Sequence, residues 1–171
     1  MSERGKRIFL GICIVIPFVL YCVYYYSIMI KNAPYKFTEF DAITLNYGLG
    51  DSLVNRFNSK TGDFWYINER DSIVKTTVKL TQDDLLYLHR KAADLGFWDM
   101  PELISGEGNL GYKKNSPHYY LEYKYQRKTK HILFDTEYND NPKIKDATRQ
   151  LIDEVSRTIT DAQDRMDKVR N

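Results

Sequence analysis

The sequence predicts an α+β fold: an N-terminal transmembrane helix, then an antiparallel sheet of about six strands with two helices, in the order ββββ-α-ββ-α. Three observations carry this. Ile8 to Ile30 contains no charged residue. Six later runs alternate apolar and polar residues with the period of a half-buried strand, and two others repeat leucine, isoleucine and alanine at helical spacing.

The uncharged stretch, IFLGICIVIPFVLYCVYYYSIMI, would form a helix of roughly 35 Å, enough to cross a hydrocarbon core of about 30 Å. Pro17 is tolerated in such a helix, and Tyr24, Tyr25 and Tyr26 suit an interfacial aromatic belt. Arg4, Lys6 and Arg7 in the short leading tail, against Lys31 and Lys36 beyond, favour an N-terminus inside the cell. The expectation is therefore a single-pass signal-anchor protein: cytoplasmic tail 1–7, transmembrane helix 8–30, tether 31–38, an extracytoplasmic domain at 39–160 and a polar helix end at 161–171. A cleavable signal peptide would need small residues before its cleavage site, and Tyr25, Tyr26 and Lys31 stand at those places. A lipid-modified Cys22 is the alternative, but Tyr21 occupies the position that lipidation wants small.

Composition narrows the function. The chain has 25 Lys and Arg against 23 Asp and Glu, and without the charged N-terminal tail the remainder is balanced. Nucleic-acid binders concentrate basic charge, so no nucleic acid is expected as a partner. The 14 tyrosines, 8 phenylalanines and 2 tryptophans exclude a disordered chain. Cys13 and Cys22 are the only cysteines, so the domain beyond residue 30 has no disulfide.

Within the domain, TEFDAITLNY, SLVNRFN, DFWYINE and SIVKTTVKL read as four strands in meander order, separated by Gly-Asp and Lys-Thr-Gly-Asp turns. Val74, Thr76, Val78 and Leu80 fall on one face of the fourth. Thr81-Gln82-Asp83-Asp84 has capping-box form, opening a helix with Leu85, Leu88, Ala92 and Leu95 on one side. Gly96 is expected to end it in the left-handed conformation, with Phe97 folding back and Pro101 preventing resumption. Residues 99–116 read as a loop. HYYLEYKYQ and KHILFD form a strand pair with Tyr119, Leu121, Tyr123 and Tyr125 on one face. Asn141-Pro142 starts a last helix carrying Ile144, Ala147, Leu151, Val155, Ile159, Ala162 and Met166.

The segment KLTQDDLLYLHRKAADLGFWDMPE, the following strand pair and the terminal QLIDEV resemble small uncharacterised domains of bacterial envelope proteins and lipoproteins. The resemblance spans roughly residues 39–160 and rests on structural positions: the helix cap, the Gly-Phe stop and the core leucines. It implies a similar fold and an envelope location, and brings no activity. Tyr21 departs from its lipoprotein members.

No catalytic motif stands out. Gly106-Glu107-Gly108-Asn109-Leu110-Gly111 has the G-x-G-x-x-G spacing, but a dinucleotide site needs it between a strand and a helix, and here a strand follows. No cofactor is expected. Asp135, Glu137 and Asn139, with Asn141 and Asp146, have alternating spacing that faintly suits calcium; Asp140 replaces the required glycine and Asp146 the bidentate glutamate. No metal site is expected, with Asp135, Glu137 and Asn139 the only candidates. His89, His118 and His131 are too dispersed for a short zinc motif. For contact with a partner, the candidates are Trp98, Tyr120, Lys124 and Arg127. Trp98 is otherwise a core plug, and Tyr120 shares the outer face of its strand with Glu122 and Lys124. The function expected is a membrane-anchored, extracytoplasmic interaction domain without catalysis, its partners the bilayer through residues 8–30 and another envelope protein. The alternative is an envelope hydrolase built on dispersed acids and on His118 and His131.

Overall fold

The computed structural model describes residues 3–31, 35–50, 52–105 and 116–170. Side chains in the first helix are described at positions 4, 5, 9 and 11–26. The chain divides into two units, Met1–Tyr35 and Lys36–Asn171.

The first unit is helix α1, Glu3–Lys31, with Pro17 inside it. The single-pass expectation is corrected here: among the described residues, no helix is long and apolar enough to cross a membrane. The stretch whose side chains are described, 11–26, includes Gly11 and Pro17. It also contains Tyr21, Tyr24, Tyr25 and Tyr26, whose hydroxyls dilute its apolar character. Within 8–30, the side chains at 8, 10 and 27–30 lie outside the described ones. With the span go the signal anchor and the single-pass placement, N-terminus inside and domain outside.

The second unit begins with four strands: β1 (Phe40–Leu49), β2 (Ser52–Asn58), β3 (Asp63–Ile67) and β4 (Ile73–Thr77). Tight turns join them because residues that tolerate positive φ fall between the runs: Gly50 at 59°, Gly62 at 77° and Asp71 at 52°. Gly48 serves a different need. A Cβ there would lie 2.0 Å from the Ser52 carbonyl oxygen, so only glycine lets the irregular end of the β1–β2 ladder close.

Helix α2 (Gln82–Asp94) starts as the capping box predicts. The Asp84 N–H donates to Thr81 Oγ1 at 3.2 Å, and the Thr81 N–H donates to Asp84 Oδ2 at 2.9 Å. Gly96 adopts φ 71°, and a short 3-10 turn, Phe97–Asp99, carries Phe97 into the core. Strand β5 (Leu103–Ile104), β6 (Pro117–Tyr125), β7 (Thr129–Asp135) and helix α3 (Pro142–Arg170) complete the unit. Asn141 Oδ1 accepts from the N–H groups of Lys143 and Ile144 at 3.1 and 3.3 Å, which caps α3 as its sequence predicts.

All strands join one sheet in the order β4-β3-β2-β1-β6-β7-β5. The expected antiparallel sheet of about six strands is corrected to a mixed sheet of seven. The added strand, β5, runs parallel to β7, pairing Leu103 with Leu133 and Ile104 with Phe134. Two residues are too few to show a period, so the run hid inside what the sequence predicts as a loop.

The two faces of the sheet differ. Ile43, Leu45, Phe57, Leu121, Tyr123, Tyr125, Ile132 and Phe134 are buried, together with Leu88 and Ala92 of α2 and Leu151, Val155, Ile159 and Ala162 of α3. This is the core, between the sheet and its helices. Met166, predicted on the same stripe, is exposed at 39%. The opposite face is not covered by α2 or α3 and carries mainly polar and aromatic side chains.

Candidate functional site

Strand register sets the open face. Asn46 of β1 lies between Arg56 of β2 and Tyr120 of β6; beyond Arg56 come Trp65 and Lys75, and beyond Tyr120 comes Leu133. These six side chains form one row across six strands, with neighbours about 4.8 Å apart. In the adjoining row, Thr44 lies between Asn58 and Glu122, and Glu122 faces His131. Because side chains alternate along a strand, the apolar residues between these positions all point to the core.

A hollow of about 230 Å³ opens in this face, lined by Thr44, Asn46, Arg56, Phe57, Asn58, Asp63 and Trp65. Lys75 places its Nζ 4.2 Å from the centre of the Trp65 ring and does not line the hollow, so the side of the indole away from Lys75 meets it. Asn58 is fixed: its Oδ1 accepts from the Lys60 and Thr61 N–H groups at 2.9 and 3.2 Å, and its Nδ2 donates to Thr44 Oγ1 at 3.4 Å. Arg56 donates through Nε to the Leu53 carbonyl at 3.1 Å. Among the described residues the side chains of Asn46 and Asp63 have no hydrogen-bond partner.

The predicted contact residues separate. Tyr120 and Lys124 lie on the open face. The Tyr120 hydroxyl donates to Glu122 Oε2 at 2.7 Å, and its ring stacks on His131 with centroids 5.7 Å apart. Burial, then the Glu122 carboxylate, pushes this phenol far above its ordinary pKa, so it serves as a neutral donor and platform. Trp98 is on the helix side, with the rings of Phe97, Tyr123, Tyr125 and His89 all within 6 Å of its own. Arg127, in the β6–β7 turn, is paired with Glu39 through both Nε and Nη2. That bond lowers the Glu39 pKa and commits the guanidinium to closing the hairpin against the start of β1.

The acids and histidines form a different arrangement. His118 and Asp135 meet at 3.4 Å, Nε2 to Oδ2, and both are buried. Ser116 Oγ stands 3.5 Å from the same Nε2, while Nδ1 is 3.0 Å from the Gly50 carbonyl oxygen. A nucleophile relay would engage serine and carboxylate on opposite ring nitrogens; here both stand at one, and the Gly50 carbonyl occupies the other. Burial pushes the Asp135 carboxyl up, but the Glu137 N–H, the Ser116 hydroxyl and His118 outweigh it and hold the group below its ordinary pKa. The cluster stitches the β1–β2 turn to the start of β6 and the end of β7. His131 is elsewhere, 3.9 Å from Glu102.

The possible calcium ligands are similarly committed. Asp135 accepts from the Glu137 N–H at 2.8 Å, and Asn139 Oδ1 accepts from Lys145. Among the described residues no group of three or more His, Cys, Asp or Glu could hold a metal. The glycine pattern 106–111 lies outside the described residues.

Sequence reasoning missed Thr44, Asn46, Arg56, Asn58 and Trp65. The alternation in β1 puts Thr44 and Asn46 on its polar side, which was the available signal. Their alignment with Trp65 depends on the register of three strands, which a single sequence does not contain. Neither a family model nor any curated protein matches this chain.

Proposed function

We propose that this protein is a binding domain whose working surface is the open face of its sheet, centred on the row Tyr120–Asn46–Arg56–Trp65. The observation that carries this is the hollow beside Trp65: an aromatic wall and two side chains without intramolecular partners among the described residues, on the face that α2 and α3 leave uncovered. Sheet positions are held rigidly by their ladders, so such a constellation is pre-organised and loses little entropy on binding. Balanced charge and half-exposed aromatics suit recognition by stacking and hydrogen bonding rather than by long-range attraction.

The experiment is retention of the full chain on immobilised saccharide and peptide panels, comparing wild type, the open-face variants Asn46→Ala and Tyr120→Ala, and the α3 variant Gln150→Ala. The expected result is that a retained ligand is lost with the open-face changes and kept with Gln150→Ala. Retention indifferent to both open-face changes, or no retention by either panel, overturns the reading.

A further inference from the structure

We propose that the hollow in front of Trp65 is a saccharide subsite, taking one uncharged pyranose ring. This rests on the open-face reading and adds the chemistry of the ligand. A sugar ring offers an apolar C–H face and an edge of hydroxyls, each a donor and an acceptor at once. The lining answers both. Trp65 supplies a flat apolar wall, held from behind by the Lys75 ammonium at 4.2 Å. Asn46 and Asn58 carry amides and Thr44 a hydroxyl, groups that both donate and accept, while Asp63 only accepts and Arg56 only donates.

Charge and size narrow the class further. The lining contains one cationic side chain, Arg56, and one anionic, Asp63, so it offers no net charge to a phosphate, a carboxylate or an amine. At about 230 Å³ the hollow is smaller than the several hundred Å³ of sites for drug-sized ligands, which fits a single ring. Asn58 is preset, because two backbone N–H groups hold its carbonyl and leave its amide directed to Thr44. Across the face, Tyr120 stands three strands from Trp65, about 14 Å at normal strand spacing. A longer saccharide lying across the strands would reach it as a second platform.

The test is a series of ¹H–¹⁵N spectra of the full chain titrated with methyl glycosides of glucose, mannose and N-acetylglucosamine. Trp65 and Trp98 are the only tryptophans, so their two indole N–H signals form an internal comparison. The expected result is a saturable, millimolar shift of the Trp65 indole and of the Asn46 side-chain amide with at least one glycoside, while Trp98 stays still. Asp63→Ala, at an exposed position, should weaken that binding about tenfold or more, as the loss of a ligand hydrogen bond does, with the remaining spectrum unchanged. If no glycoside moves the Trp65 indole, the saccharide inference is overturned. Should a retained peptide then move Trp65, Asn46 and Tyr120, the open-face reading survives alone; if neither class moves them, both fail.

Discussion

Phe97 lies against Tyr123 with ring centroids 4.9 Å apart, and both residues are sealed from solvent. The contact joins the end of α2 to the middle of β6, and the Tyr123 hydroxyl donates back to the Leu88 carbonyl at 3.3 Å. It depends on Gly96, whose φ of 71° turns the chain inward. Phe97→Ala should cost about 3–5 kcal/mol, through lost transfer energy and a cavity. Gly96→Ala should cost about 1 kcal/mol: a Cβ there meets nothing within 4 Å, so backbone strain acts alone. Urea midpoints of the full chain and the two variants check both values.

Adjacent residues of β1 should behave oppositely. Leu45 is fully buried, and Leu45→Ala should lose about 2–5 kcal/mol. Asn46 points to the open face with no partner for its side chain among the described residues, and Asn46→Ala should stay within about 0.5 kcal/mol of wild type. Denaturation of the two variants side by side tests the face assignment on which the proposed site stands.

His89 should make stability fall with acid. Burial, then the charge of Arg90, holds its pKa below the ordinary 6.5, and its Nδ1 stands 2.8 Å from the Tyr125 hydroxyl. The unfolded chain therefore binds the proton more readily than the folded one. Stability is complete above about pH 6.5 and is lost as pH falls through the lower folded value. Melting temperatures from pH 7.5 to 5.5 should fall more steeply for wild type than for His89→Gln; equal slopes would refute the assignment.

Much of this architecture was legible in local sequence. The Thr81–Asp84 box, the positive-φ stop at Gly96 and the Asn141 cap on Lys143 and Ile144 are each closed within a few residues, so local sequence announces them. The alternation in β6 likewise placed Tyr123 and Tyr125 in the core, while Tyr119 on the same face is half-buried. What failed was either too short or too distant. Leu103 and Ile104 gain strand character only from β7. Arg127 looks like a free cation until Glu39, 88 positions away, is brought to it. Trp98 and Tyr120 are both aromatic and both plausible contacts, and only the packing of α2 and α3 tells which one faces outward. For α1, an uncharged run of helical length with interfacial tyrosines and basic residues ahead of it suggested a span that the described residues do not support.

The most direct measurement maps, by amide chemical shifts of the full chain, whichever ligand the saccharide or peptide panel retains. The account predicts perturbations at Asn46, Arg56, Trp65 and Tyr120, while the core-facing neighbours Leu45, Phe57 and Leu121 and the helices α2 and α3 change little. Perturbations centred on α3, or on the groove between α2 and α3, with the row on the open face silent, would contradict it.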